Sequence, residues 1–178
     1  MLKKVSFSSE NLSLLNIADY YGDSEKALRL FFSPKNPAYT LRFNGYTRNE
    51  VEGELKLRLQ ELDKAVSLSI LSALEALLRV DYLTRCYKKK KDPLSRKMRN
   101  IYKSKGVRAS LERDILRLWK EICPEYKSFI SEVITAFDYR NWLAHGRYWE
   151  PKLGRNFDYS SLYDLAESIE QLLISSRT

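Results

Sequence analysis

The stretch DYRNWLAHGRYWEP, residues 138–151, concentrates the side chains best suited to move a proton and hold an anion. His145 is the only histidine in the chain; Arg140 precedes it by five positions and Asn141 by four. An imidazole changes charge near neutral pH, so His145 suits acid or base duty. A guanidinium offers a planar fork to paired anionic oxygens. Asn141 adds a donor and an acceptor that could orient a bound group. Gly146 stands where a left-handed cap would end a helix, which puts His145 in the last turn, where the helix dipole favours a protonated ring.

The helix that must carry these groups is visible in its spacing. Tyr126, Ile130, Val133, Phe137, Arg140 and Ala144 step by fours and threes and form one stripe. Arg140 therefore falls in line with core positions, and a guanidinium there must be paired or must reach a wet cleft. Asn141 and His145 share a face beside the stripe. Arg140 and His145 lie about 140° apart around the axis, so they meet only if the long arginine side chain curves round the helix end. The spacing equally fits a structural role: His-Gly is a common helix end, and Arg140 could simply pair with a carboxylate such as Glu75.

The remaining elements also read as helices. Residues 9–21 fit a short helix capped by Ser9, with Leu12, Leu15 and Ile17 on a partial apolar face. Residues 33–47, with Pro34, Pro37 and Gly45, are irregular, and Tyr39 to Phe43 could form a short extended piece. Thr47 and Glu50 form a capping box. From there apolar residues recur at threes and fours through Leu83, a helix of about ten turns. Its stretch SLSILSALEALLRV is apolar on more than one face and should be the most buried part of the fold. A helix from Ser110 to about Cys123 ends at Pro124, the motif helix starts near Glu125, and a last helix spans roughly Tyr159 to Ser175. The expectation is an all-α single domain over 1–178, a bundle of five or six helices, with 1–46 as lead-in and 47–178 as the bundle core.

The totals narrow the classes. The 178 residues carry 44% hydrophobic side chains, which excludes a disordered chain. Net charge is +8, which favours a polyanionic partner. Two cysteines, Cys86 and Cys123, with one histidine form neither a disulfide framework nor a zinc cage, so neither a metal nor a cofactor is expected. The first residues have no apolar core of a secretory leader, and no window is apolar enough to span a bilayer, so a soluble cytoplasmic protein with no membrane partner is expected. Residues 87–108 hold ten Lys or Arg against one acid, Asp92. This reads as a basic surface loop. It is either simply solvated or a phosphate-tracking patch, with Lys88, Lys89, Lys90, Lys91, Arg96, Lys97 and Arg99 as contacts and Tyr87 and Tyr102 as stacking platforms.

Arg140-Asn141, three residues and His145 resemble the signature of the HEPN superfamily, in which an Arg, usually followed by a polar residue, precedes a His by four to six intervening positions. AHGRYW is similar to the basic and aromatic continuation of abortive-infection-like members, and Glu75-x-x-x-Arg79 resembles a pattern on an earlier helix of such proteins. The resemblance implies an all-α bundle of four or five helices and metal-independent RNA cleavage, in toxin or phage-defence settings, at a site formed where two copies meet. It makes Arg140 and His145 the catalytic pair, gives Asn141 a substrate contact, and gives Glu75 and Arg79 supporting roles. RNA, a homodimer and an antitoxin or regulatory protein are the implied partners. One branch carries a modified Tyr two residues after the His; here that position is Arg147 and Tyr148 follows it. Arg147, Tyr148 and Trp149 read either as a packed helix exit or as a rim that holds RNA by charge and stacking. Two further readings stay open: an inactive HEPN module that binds RNA, a nucleotide or a protein, and a helical interaction protein.

Overall fold

The computed structural model describes residues 4–8, 10 and 12–176. Among the described residues there are seven α-helices: α1 (Leu14–Phe31), α2 (Tyr39–Arg42), α3 (Arg48–Tyr87), α4 (Pro93–Lys105), α5 (Arg117–Ile122), α6 (Lys127–Ala144) and α7 (Tyr159–Ser175). The all-α class is as expected, with more helices than the spacing suggested.

The 40-residue α3 is the axis of the fold, and α1, α4, α6 and α7 all pack on it. The Thr47–Glu50 capping box starts it: Glu50 N–H donates to Thr47 Oγ1 at 3.3 Å, and the Glu50 carboxylate accepts from Thr47 N–H at 2.7 Å. Val66, Ile70, Leu71, Leu74, Leu78 and Tyr82 are buried from its middle onward, so the stretch expected to be most enclosed is so. Its first half packs on α1. There Phe32, Phe43 and Val51 close a second, smaller apolar cluster.

Three local expectations give way. The Ser9 cap lies outside the described residues. Ser13 caps α1 instead, accepting from Asn16 N–H at 3.0 Å, and the helix runs on through Gly22 to Phe31. Tyr39–Arg42 is one helical turn, not an extended piece; the Asn36 side chain accepts from Ala38 N–H at 3.0 Å and turns the chain into it. The basic segment is not a loop but largely helix α4. Asp92 caps it by accepting from Ser95 N–H at 2.9 Å, Pro93 takes the first helical position, and Leu94, Ser95 and Met98 are buried beneath the charges. Further on, residues Leu111–Leu116 wind as a π-helix before α5, and a 3₁₀ turn at Pro124–Tyr126 delays α6 to Lys127.

One buried charge ties the far end of the bundle. Arg85, 1% exposed, donates through Nε to Asp81 at 2.6 Å and through Nη2 to the Ser176 carbonyl at 3.2 Å. Its guanidinium lies 5.3 Å from the Trp119 ring centroid, and Asp92 stands 3.5 Å away. The group thus links α3 to the start of α4, to α5 and to the end of α7. Removing one partner of such a pair leaves the other charge buried. Arg85→Ala is expected to lower stability by about 3–5 kcal/mol, read as a large fall in the urea midpoint at unchanged slope. A loss no greater than that of an exposed Arg→Ala change would show that the pair is not a structural node.

Candidate functional site

The motif helix runs antiparallel to α3, as two contacts fix. Arg140 Nη2 lies 3.3 Å from Glu75 Oε2, and Arg147, seven residues on, reaches back to Glu61, fourteen residues earlier on α3. Arg140 does stand on the inward stripe, beside buried Val133, Ala136 and Phe137. Its side chain keeps 34% of its surface exposed, while Nε is buried without a hydrogen-bond partner.

Glu75 is shared. Arg79 Nε donates to its Oε1 at 2.7 Å, and Arg79 Nη1 donates to the Ala109 carbonyl at 3.2 Å. Glu75, Arg79 and Arg140 thus form one cluster, with α6 on one side and the turn after α4 on the other. Tyr82 supports that turn by donating to the Gly106 carbonyl at 3.0 Å. The sequence pattern found all three charged groups. It did not find the turn, because Ala109 takes part through its backbone and leaves no side-chain signal.

Asn141 and His145 are placed differently. Both are exposed, on the face of α6 away from α3. His145 is the C-cap residue, and its N–H donates to the Asn141 carbonyl at 3.1 Å. Among the described residues its imidazole takes part in no hydrogen bond or ion pair. Within one chain, then, the guanidinium is tethered inward and the ring is free in solvent; no side-chain hydrogen bond joins them.

The chain leaves α6 through a Schellman turn. Gly146 has φ +81°, and Arg147 N–H donates to the Trp142 carbonyl at 3.1 Å. Arg147 itself has φ +57°, a conformation that a side chain rarely adopts. Its guanidinium forks onto Glu61, with Nη1 and Nη2 each 2.9 Å from a carboxylate oxygen, and this clamp holds the strained residue in place. Glu61 was not foreseen: it lies 86 residues from Arg147, and no local spacing announces the pair. Tyr148 is 84% exposed and packs edge-to-face on Trp149, whose carbonyl accepts from Trp142 Nε1 at 2.6 Å.

Of the basic residues, Lys88, Lys89, Lys91, Arg96 and Lys97 are exposed, and Lys90 and Arg99 are partly covered, with Arg99 donating to the Lys90 carbonyl. Tyr87 and Tyr102 meet edge-to-face at 5.7 Å, and Phe7 stacks on Tyr87, so these rings are engaged within the chain rather than standing free.

The hydrogen bonds from Arg147 and Lys64 hold the Glu61 carboxyl down at about 2. A depressed carboxylate contributes its stabilisation above its ordinary pKa and loses it as pH falls through the folded value. The clamp should therefore persist through mildly acid pH and open only near pH 2. Arg147→Ala should move the Glu61 titration, followed by carboxyl NMR, up toward the ordinary glutamate range; an unmoved midpoint would contradict the clamp.

Comparison with protein-family models, with curated proteins and with solved structures returns no match in any of the three.

Proposed function

We propose that the chain is a metal-independent endoribonuclease of the HEPN type, a toxin or phage-defence effector whose active site forms between two copies. The observation that supports it most is the state of the two motif side chains. Arg140 is fixed by Glu75 yet keeps an exposed flank, while His145 is held at a helix end with its ring unengaged.

RNA carries its own nucleophile. The 2′-oxygen attacks the adjacent phosphorus, the bond to the 5′-oxygen breaks, and the products are a 2′,3′-cyclic phosphate and a 5′-hydroxyl. One proton must leave the 2′-OH and one must reach the departing 5′-oxygen. His145 is the group that handles protons, a contribution of roughly 10²–10⁴ in rate. Arg140 takes the charge that builds on the non-bridging oxygens. Two histidines in a shared cleft give one for each proton, and a two-fold axis supplies them from identical chains. Asn141, on the exposed face with His145, contacts the strand. Glu75 and Arg79 position Arg140. The exposed lysines at the start of the basic segment, with Arg96 and Lys97, gather the RNA backbone.

A second reading has one observation in its favour: the Arg140–Glu75 contact is also what a purely structural arginine would make. It describes an inactive helical module that binds RNA, a nucleotide or a protein. The two separate on one assay. Mixed RNA incubated with the protein in EDTA should be cut to 2′,3′-cyclic phosphate ends. Arg140→Ala and His145→Ala should each lower the rate at least a hundredfold with folding intact, and Glu75→Gln should lower it less. Binding without cleavage selects the inactive module. Unchanged cleavage in His145→Ala removes the imidazole from the chemistry and sinks the proposal.

A further inference from the structure

Tyr139 and Trp142 on α6 and His145 at its C-cap are spaced by threes, which sets them on one slanting row. The row continues as a ring stack. Tyr139 lies between Trp142 at 5.7 Å and Phe157 at 5.5 Å, both nearly parallel to it at 22°, and the Arg155 guanidinium covers Phe157 at 4.9 Å. Tyr139 is only 7% exposed, yet it lines an open cleft of about 590 Å³ between α6 and the segment that leads to α7. Trp142, Phe157, Asn156, Lys64 and Arg155 line the same cleft. This volume is within the range of small-molecule sites, about 300–1,000 Å³.

The composition of the lining selects an occupant. Trp142, half-buried at the end of the stack, offers an apolar ring, Asn156 offers a donor and an acceptor, and two cations stand at the edge. Lys64 is held by Glu61 at 3.0 Å and Arg155 by Glu132, and all four of these side chains are partly exposed, so the cations are oriented but still within reach of an incoming anion. A lipid chain would leave the cations and Asn156 without partners. A bare phosphate would leave the ring without one. A planar heterocycle with an attached phosphate satisfies both.

We propose that this cleft is a nucleobase subsite that takes a base with its adjoining phosphate beside His145, from an RNA strand or from a free mononucleotide. The base lies against Trp142, and the phosphate meets Lys64 or Arg155. The row then carries the strand one turn along α6, so that the next phosphodiester reaches the imidazole. This last step rests on the ribonuclease reading; the binding does not.

The test uses the intact protein and a short 2′-O-methyl oligoribonucleotide, which has no nucleophile and so cannot be cut. Kd is read by fluorescence anisotropy for this oligonucleotide, for versions with one abasic residue at successive positions, and for displacement by 5′-AMP. Loss of the base at one position should weaken binding to the wild-type protein about tenfold, the scale of base–aromatic stacking. Trp142→Leu should bind intact and abasic strands equally weakly, and Trp142→Phe, which keeps a ring, should restore the preference. Displacement by 5′-AMP that Trp142→Leu abolishes also supports the subsite and identifies a free nucleotide as its occupant. If intact and abasic strands bind the wild-type protein alike and 5′-AMP does not compete, the subsite is wrong. A base preference in a protein that cuts no RNA would remove the ribonuclease reading and leave the subsite standing; base-blind binding in an active nuclease would do the reverse.

Discussion

Glu75 has two carboxylate oxygens, and each is claimed by a different arginine. That sharing fixes where everything near the candidate site can be. Arg79 points one way, to the Ala109 carbonyl, and ties the end of the basic segment to α3. Arg140 points the other way and ties the motif helix to the same turn of α3. The pattern repeats along the axis helix. Glu61 holds the exit of α6 through Arg147, and Asp63 accepts the first N–H of α7 from Tyr159 at 3.1 Å. Apolar packing brings helices together over broad faces. These acids set the register in which they meet.

This arrangement has a chemical consequence. An arginine on an inward stripe cannot be left unpaired, so the fold turns it toward Glu75. A histidine five residues on then faces away, because the helix turns about 140° over that distance. The two groups assigned to one reaction thus sit on different sides of their own helix. In the proposed dimer a copy related by two-fold symmetry would present its imidazole where the first presents its guanidinium, and His145 is exposed on the surface that such a copy would meet.

How much of this was legible depended on whether a signal was local. Thr47 and Glu50 announce the start of α3 because a capping box lies within four residues, and the apolar period of α7 predicts its span. Arg140 could be placed on the core stripe because helical spacing specifies that face, whereas Glu75 stood only as one example of a carboxylate that could pair with it. The Glu61–Arg147 fork could not be read, since nothing in either neighbourhood points to the other. Helix α4 was hidden for a different reason: a run of like charge reads as solvated loop, and the Leu94 and Met98 beneath it are too few to outweigh ten cations. The π-helix before α5 shifts register within an apolar run that looks continuous. The pairing of Tyr139 with Phe157 needed the segment that leads to α7 to fold back on α6 before the rings could be seen as one stack.

In the proposed ribonuclease both copies supply an imidazole to one phosphodiester. Adding excess His145→Ala protein to the wild-type protein is the sharpest check, because a mixed dimer keeps both guanidinium groups but has one imidazole for two proton transfers. RNA cleavage is expected to fall far below that of the wild-type protein alone and to follow the concentration of the remaining wild-type dimer. If mixed dimers form and cleavage still follows the total concentration of wild-type chains, the shared site does not exist.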